Sequence, residues 1–101
     1  IKSKNKIEKF KVIYSKRIKK DVKRLEVKTF NHLHKALQTL ANNPFPSITT
    51  AKIIKKLKMK EPTYRLRVGE YRVIYRIKIE KIIVLRIIHR KELQRELKSL
   101  T

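Results

Sequence analysis

The segment YRLRVGEYRVIYRI, residues 64–77, decides the fold, because it predicts a tight β-hairpin. Apolar and basic residues alternate on either side of Gly69, and this period of two is typical of half-buried strands. Glycine at the first central position of a two-residue loop favours a type II′ turn. The resulting register places Arg67 directly opposite Arg72 and puts the aromatic residues of both strands on the other face.

The segment KIIVLRIIH, residues 81–89, predicts a further strand beside this hairpin. Counting back from a turn at residues 80–81 brings His89 opposite Arg72. One face of the sheet would then carry a row of basic side chains across three strands, with a fourth lying diagonal to it: Arg67, Arg72 and His89, beside Arg65. A slip of one residue would move His89 to the other face.

Such a row is costly in a purely structural sheet, because like charges directly opposite each other destabilise a strand pair by up to about 1 kcal/mol. Guanidinium groups match phosphate oxygens in paired hydrogen bonds, so the row indicates an anion-binding site. In the alternative interpretation, the arginine side chains extend outward and pair with Glu70, Glu92 or solvent.

The composition indicates the same kind of partner. Lys plus Arg number 29 against 8 Asp plus Glu, which gives a formal net charge of +21 on 101 residues. This charge opposes compaction through self-repulsion, so a polyanion is expected to offset it, with nucleic acid ahead of a membrane surface or an acidic protein. A Lys- and Ile-rich composition is also typical of heat-adapted proteins, but these normally balance Lys with Glu.

Several classes of protein are disfavoured by what the sequence lacks. It contains no cysteine, which rules out disulfides and thiolate metal sites and is typical of cytoplasmic proteins. No apolar run approaches the roughly 20 residues of a membrane-spanning helix, and the N-terminal segment has no signal-peptide pattern. His32 and His34 have no acidic residue at ligand spacing. We therefore expect a cytoplasmic protein with no metal, no small-molecule cofactor and no membrane contact.

The remaining segments predict the rest of an α+β fold in one domain, residues 1–101. Residues 7–14 alternate like a strand, and Ser15 is expected to cap a first helix, which carries Lys19, Lys20 and Lys23 on its outer side. A second helix is predicted from Thr29, with an apolar stripe that ends before a Pro-rich turn: Phe30, Leu33, Leu37 and Leu40. With a strand in residues 47–62 and a short helix over KELQREL, the order is β-α-α-β-β-β-β-α. The expected architecture is a small antiparallel twisted sheet with an N-terminal αα-hairpin on one face.

The chain resembles the RelE/ParE toxin superfamily. Three segments carry the resemblance: KLK at 56–58, YRLRVGEYRVIYRI at 64–77 and VLRIIHRKE at 84–92. The family's β-α-α-β-β-β order covers nearly the whole chain. The resemblance implies a small basic toxin neutralised by a wrapped acidic antitoxin. RelE-type members cleave mRNA in the ribosomal A site, whereas ParE-type members poison DNA gyrase.

The resemblance also implies roles for individual residues. The family's basic catalytic positions fall at Arg65, Arg67 and Arg72, and its closing basic motif falls at His89, followed by Arg90 and Lys91. Many active relatives place a tyrosine shortly after that motif to stack a base or move a proton, and no aromatic residue follows His89 here.

These arguments together predict a ribosome-dependent mRNA endonuclease with catalytic residues Arg65, Arg67, Arg72 and His89. A ribose 2′-hydroxyl would attack the adjacent phosphate without a metal ion, with arginines neutralising the phosphate charge and His89 transferring a proton. The residues expected to bind RNA or the ribosome are Lys19, Lys20, Lys23, Lys56, Lys58, Arg90 and Lys91. Its expected partners are the ribosome, mRNA and a cognate acidic antitoxin. The alternatives are a ParE-type gyrase inhibitor and a catalytically inactive RNA-binding relative.

Overall fold

The fold was analysed in a computed structural model, which describes residues 9–100. Within that range the chain forms β1 (Lys11–Tyr14), α1 (Ile18–Lys23), α2 (Val27–Leu40), β2 (Ile54–Leu57), β3 (Thr63–Val68), β4 (Tyr71–Lys78), β5 (Lys81–His89) and α3 (Leu93–Leu97), with 3₁₀ turns at Arg90–Glu92 and Lys98–Leu100. The predicted order of elements is confirmed. The start of the predicted first strand, residues 7 and 8, lies outside the described residues. No helix in the described part of the chain combines the length and apolar character needed to cross a membrane.

The five described strands form one sheet in the order β1-β5-β4-β3-β2. The predicted α+β class is confirmed, and the pairs among β2, β3, β4 and β5 are antiparallel as expected. The pair between β1 and β5 is parallel. This difference from a wholly antiparallel sheet follows from the connection, because β1 reaches β5 through two helices and three strands rather than through a tight turn.

The first hairpin has the predicted register. Gly69 begins the two-residue loop with a φ of +58°, a left-handed conformation that glycine adopts without a steric penalty. Arg67 lies opposite Arg72, and Tyr64 lies opposite Tyr75. The rings of these two tyrosines stack with their centroids 5.5 Å apart on the face that carries the helices.

The predicted pairing of His89 with Arg72 is wrong. The second turn falls at residues 79–80 rather than 80–81, so that Lys78 pairs with Lys81. This change shifts the pairing of β4 with β5 by two residues, and by itself it would leave each β5 side chain on its predicted face of the sheet. A β-bulge then follows, which inserts Leu85 opposite the step from Ile74 to Tyr75. The extra residue reverses the faces of the rest of β5. As a result, Ile88 lies opposite Arg72, and His89 lies opposite Tyr71.

The bulge is held by a contact from the N-terminal part of the chain. Ser15 Oγ donates a hydrogen bond of 2.9 Å to the carbonyl of Leu85. Ser15 was expected to cap α1, but that helix begins at Ile18, and Arg17 occupies the capping position without a side-chain hydrogen bond. The Ser15 hydroxyl therefore stabilises the irregular part of β5 instead of the helix.

The core lies between the sheet and the two N-terminal helices. Three of the four residues in the stripe predicted for α2 are buried: Leu33, Leu37 and Leu40 are each at most 4% exposed, whereas Phe30 is 40% exposed. The helix begins two residues before Thr29. A smaller apolar cluster on the opposite face of the sheet joins Ile74 and Ile88 to Leu93 of α3. Both faces are therefore covered over part of their area, and the second face is left open towards the β3–β4 turn.

A buried ionic network lies beside the part of β5 that follows its pairing with β1. Asp21 of α1 accepts hydrogen bonds from Arg86 Nε at 2.9 Å and Arg86 Nη2 at 3.1 Å, and from the backbone N–H of Ile87 at 2.9 Å. Arg86 also donates to Glu96 of α3 at 2.8 Å. These bonds raise the pKa of Arg86 and outweigh the effect of burial, which lowers it. The network joins α1, β5 and α3, and nothing in the sequence pattern identified it.

Candidate nucleic-acid interface

Four arginines gather at the open end of the sheet face opposite α1 and α2. Arg65 and Arg67 come from β3, Arg72 from β4 and Arg90 from the turn after β5. We call these four residues the arginine cluster. The strand period places the first three on the same face, and the first-hairpin register sets Arg67 against Arg72. Lys55 of β2 lies opposite Arg65 and adds a further positive charge to the row.

Arg72 lies at the centre of this cluster. Its Nη1 donates hydrogen bonds of 2.9 Å to the carbonyls of Gly69 and Tyr71, which fix the guanidinium beside the hairpin turn. Burial lowers the pKa of Arg72, and the neighbouring charges of Arg65, Arg67 and Arg90 lower it further. The part of this lowering that comes from the neighbouring arginines reflects electrostatic repulsion, which a bound anion would relieve.

The cluster is only partly neutralised within the chain. The side-chain Oε1 of Glu70 lies 2.9 Å from Arg90 Nε. The backbone carbonyl of Glu70 accepts a hydrogen bond of 2.8 Å from the backbone N–H of Arg90. Among the ion pairs within residues 9–100, none involves Arg65, Arg67 or Arg72, so the pairing of these arginines with Glu70 or Glu92 is not realised. Within the same range, Arg65 Nε is buried without a hydrogen-bond partner. A buried donor of this kind favours a ligand that brings an acceptor oxygen.

His89 lies beside the cluster but faces the other side of the sheet. Its ring meets the Tyr71 ring edge-on, with centroids 5.4 Å apart, and its Nδ1 accepts the backbone N–H of Lys91 at 3.1 Å. In a neutral ring this contact assigns the proton to Nε2, because the lone pair of Nδ1 is already used. His89 therefore presents an N–H donor at Nε2. For Nε2 to accept a proton instead, the ring would have to carry its own proton on Nδ1, which would break the hydrogen bond from Lys91.

Tyr71 is a candidate site residue that the sequence argument missed. It lines an open cleft of about 420 Å³ between the β3–β4 turn and the start of α2, together with Lys28, Thr29 and His32. The missing aromatic was sought after His89 in the sequence, whereas the structure supplies one from the neighbouring strand. Only the bulge in β5 brings the two rings together, and no feature of the sequence indicates that bulge.

The predicted RNA-binding lysines do not form one surface with the arginine cluster. Lys19, Lys20 and Lys23 are exposed on α1, which packs on the opposite face of the sheet. Lys56 lies opposite Tyr64 on the edge strand β2, and its neighbour Lys58 is also exposed. The exposed residues Arg90 and Lys91 follow His89 directly, and Arg90 is the one that reaches the cluster.

The described residues offer no group of three His, Cys, Asp or Glu side chains that could hold a metal ion.

Comparisons with known proteins agree on one family. Residues 12–94 match the model of the ParE toxin of the type II toxin–antitoxin system parDE. A protein of Methanocaldococcus jannaschii named as the toxin RelE1 is 36% identical over 85 residues, which is 83% of this chain and 92% of that protein. The RelE–RelB complex of Pyrococcus horikoshii matches with 25% identity and a TM-score of 0.67, over 82% of this chain and 97% of the matched chain. The RelB–RelE antitoxin–toxin complex of Methanococcus jannaschii matches with 26% identity and a TM-score of 0.65, over 83% and 96%.

Proposed function

Because this chain belongs to the RelE/ParE superfamily of type II toxin–antitoxin toxins, we propose that it is a ribosome-dependent mRNA endonuclease that inhibits translation. In the cell it would be held inactive by a cognate acidic antitoxin, as the RelE–RelB complexes of two similar chains support. The observation that carries the nuclease proposal is the arginine cluster, whose members face one another without enough acidic partners.

The cluster suits RNA because its electrostatic cost disappears when phosphate binds. Arg67 and Arg72 are directly opposed, and each such pair destabilises the free sheet by up to about 1 kcal/mol. Guanidinium groups bind phosphate oxygens in pairs, so one phosphate between these side chains replaces repulsion with charge-assisted hydrogen bonds. Arg65 contributes a buried Nε–H that has no hydrogen-bond partner among residues 9–100.

In the proposed reaction a ribose 2′-hydroxyl attacks the adjacent phosphate, so that a 2′ O–P bond forms as the 5′ O–P bond breaks. The 2′ proton passes through water to the departing 5′ oxygen, which gives a cyclic phosphate and a 5′-hydroxyl. Arg65, Arg67 and Arg72 would stabilise the negative charge that develops on the phosphate oxygens. Arg90 would remain near the leaving oxygen through its contact with Glu70. The chemistry asked of these residues is electrostatic stabilisation of the transition state, which is commonly the largest single contribution to enzymatic catalysis.

The role proposed for His89 differs from the proton acceptor expected from the sequence. Because the Lys91 N–H occupies Nδ1, the free Nε2 of the neutral ring carries a proton. We assign His89 the role of a hydrogen-bond donor to a phosphate or sugar oxygen. Tyr71 would hold the imidazole in place and offer an aromatic surface to a neighbouring base, the role that a later tyrosine has in many relatives.

The proposal is tested with translating ribosomes and primer extension along the mRNA. Wild-type protein should produce new cleavage ends, and Arg72→Ala should abolish or sharply reduce them while leaving the fold intact. Arg95→Ala is the matched control, because Arg95 is an exposed arginine of α3 whose surface ion pairs with Glu92 and Glu96 contribute little to stability. Equal cleavage by the wild type and Arg72→Ala would contradict the site, and absence of cleavage by the wild type would contradict the nuclease function.

A ParE-type gyrase inhibitor is the second candidate. Two observations favour it: the matched family model is that of ParE, and His89 lies on the opposite face from Arg72 rather than in line with it. A DNA supercoiling assay with purified gyrase separates the two functions. Inhibition of supercoiling, with mRNA left intact on ribosomes, would support this candidate over the nuclease. RNA binding with neither activity would identify a catalytically inactive RNA-binding relative.

A further inference from the structure

A cavity of about 430 Å³ lies between α2 and the edge of β3, on the helix-covered side of the sheet. A volume of this size lies within the range of about 300–1,000 Å³ that is typical of small-ligand sites. Most of its wall is apolar and therefore suits the flat faces of an aromatic ring system. The apolar side chains that line it are Ala36, Leu40, Ile53, Ile54, Leu66 and Val68.

The cavity has a free backbone acceptor because β2 covers only part of β3. The first residue of β2, Ile54, pairs with Leu66, and none of the described strands covers the edge of β3 beyond Arg67. The N–H of Arg67 donates to the carbonyl of Ile53 at 2.7 Å, and a regular antiparallel ladder would return a bond from the N–H of Ile53 to the Arg67 carbonyl. The N–H of Ile53 instead donates to the carbonyl of Thr50 at 2.9 Å. The Arg67 carbonyl is therefore left as an acceptor at the wall of the cavity.

Asn43 supplies donors to the same cavity. Its Oδ1 accepts the backbone N–H of Phe45 at 3.2 Å, which orients the side-chain amide. No hydrogen bond among residues 9–100 uses its Nδ2, so the two N–H groups of this atom remain available. A carbonyl acceptor and an amide donor in an apolar cavity match the edge of a nucleobase, on which donors and acceptors lie side by side.

The cavity borders the proposed path of the RNA. His32 lines both this cavity and the cleft that contains Tyr71, so the two spaces are neighbours. Arg67 also lines the cavity, and its side chain belongs to the arginine cluster on the other face of the sheet. The uncovered edge of β3 therefore connects the two faces. A strand with a phosphate at the cluster can place an adjacent base around this edge.

Other occupants fit the cavity less well. A wholly apolar ligand would leave the Arg67 carbonyl and the Asn43 amide without partners after displacing their water, which is unfavourable. A free nucleotide would bring the same base with a single phosphate group. An RNA strand places further phosphates at the arginine cluster, so it gains from both sites at once.

We propose that this cavity receives the base of a nucleotide adjacent to the scissile phosphate, and that the Arg67 carbonyl and the Asn43 amide bind the edge of that base. The inference rests on the RNA substrate proposed above and adds a determinant of base preference to it. Arginines hold the phosphates of any sequence, whereas contacts to base edges distinguish one sequence from another. Asn43 is thus a specificity-determining residue.

The first test compares Asn43→Asp with Asn42→Asp on translating ribosomes, with mRNAs that carry each of the four bases at every position around the cleavage site. Asn43→Asp keeps the acceptor for the N–H of Phe45 but replaces the donor by a second acceptor. Guanine offers two adjacent donors, its N1–H and its N2 amine, so the preference at one position should shift towards guanine by about 10-fold. Asn42→Asp adds the same charge at an exposed neighbouring residue that does not line the cavity, and it should keep the wild-type preference.

A second test measures binding alone. Tetranucleotides with 2′-O-methyl groups cannot undergo 2′ attack, and fluorescence anisotropy gives their affinity for the free chain. Ala36→Phe narrows the cavity and should reduce the differences in affinity among sequences, whereas Arg72→Ala should weaken all sequences about equally because it removes a phosphate contact. Gln38→Phe is the matched control, since it adds the same ring at an exposed position of α2 outside the cavity. Thermal unfolding of every variant confirms that each remains folded.

Each result decides between the interpretations. A shift towards guanine in Asn43→Asp alone supports the base site. The same base preference in Asn43→Asp and the wild type overturns it, and so does an equal shift in Asn42→Asp. Single nucleotides that bind as tightly as tetranucleotides, and lose affinity in Ala36→Phe, would overturn the RNA assignment in favour of a free nucleotide. If the wild type cleaves no mRNA while Asn43→Asp changes the ranking of the tetranucleotides, the base site stands and the nuclease proposal fails.

Discussion

Replacement of Asp21 by alanine should destabilise this protein far more than loss of any surface ion pair. Asp21 is 6% exposed, and its carboxylate is the shared acceptor for Arg86 and for the backbone N–H of Ile87. Asp21→Ala leaves a guanidinium group buried with one fewer partner, and breaking a buried pair in this way costs about 3–5 kcal/mol. In a domain of about this size each kcal/mol shifts the melting temperature by about 4–8 °C, so the midpoint should fall by at least about 12 °C.

Thermal and urea unfolding, followed by circular dichroism, measure this effect. Glu61→Ala is the matched control: Glu61 pairs with Arg76 at 3.2 Å and Lys78 at 3.8 Å, but it is 56% exposed, so its loss should cost at most about 1 kcal/mol. Combining Asp21→Ala with Arg86→Met removes both buried charges, and the double variant should be more stable than Asp21→Ala alone. A double variant whose destabilisation equals the sum of the single effects would refute the reasoning, as would an Asp21→Ala variant no less stable than Glu61→Ala.

Three further predictions concern the candidate site and the edge of the sheet. His89→Gln keeps an N–H donor and should cleave mRNA faster than His89→Ala, whereas equal loss of cleavage in both variants would indicate a proton acceptor instead. Tyr71→Phe should keep most of the cleavage rate. Tyr71→Leu should cleave more slowly, because it loses the stabilisation of about 1–3 kcal/mol that is typical of base stacking. Equal rates in the two variants would argue against an aromatic role. A hydrogen bond from Arg86 holds the pKa of Glu96 below its ordinary value, so Glu96 stabilises the fold above that ordinary value and the effect is lost as the pH falls through the lowered pKa. The difference in unfolding free energy between wild type and Glu96→Gln should therefore shrink in acid, and a difference independent of pH would contradict this assignment.

The sequence predicted the pairing of Arg67 with Arg72 correctly because a local turn determines that geometry. Gly69 specifies a two-residue loop, and this loop alone sets Arg67 against Arg72, whatever the rest of the chain does. The apolar stripe of α2 was equally local, because Leu33, Leu37 and Leu40 share one helical face. Both predictions depended only on residues that are close together in the sequence.

The position of His89 could not be predicted from the same kind of pattern. It depends on a bulge at Leu85, which is stabilised by Ser15, seventy residues earlier in the chain. The Asp21 network with Arg86 has a similar separation of 65 residues. Contacts of this range are decided by tertiary packing, so a count along neighbouring strands reaches the wrong face after the first irregularity.

The parallel pairing of β1 with β5 has a consequence for the synthesis of the protein. The earliest described strand has β5 as its neighbour, and β5 also carries Arg86, to which Asp21 of α1 is tied. Before β5 has been synthesised and has left the ribosome, β1 therefore lacks its partner strand and Asp21 of α1 lacks Arg86. The β3–β4 hairpin precedes β5 in the chain and can form earlier. We expect protection from proteolysis to begin only once translation has passed residue 89, and stable protection of shorter ribosome-bound chains would contradict this. Such an order would delay assembly of the toxin until β5 has been synthesised.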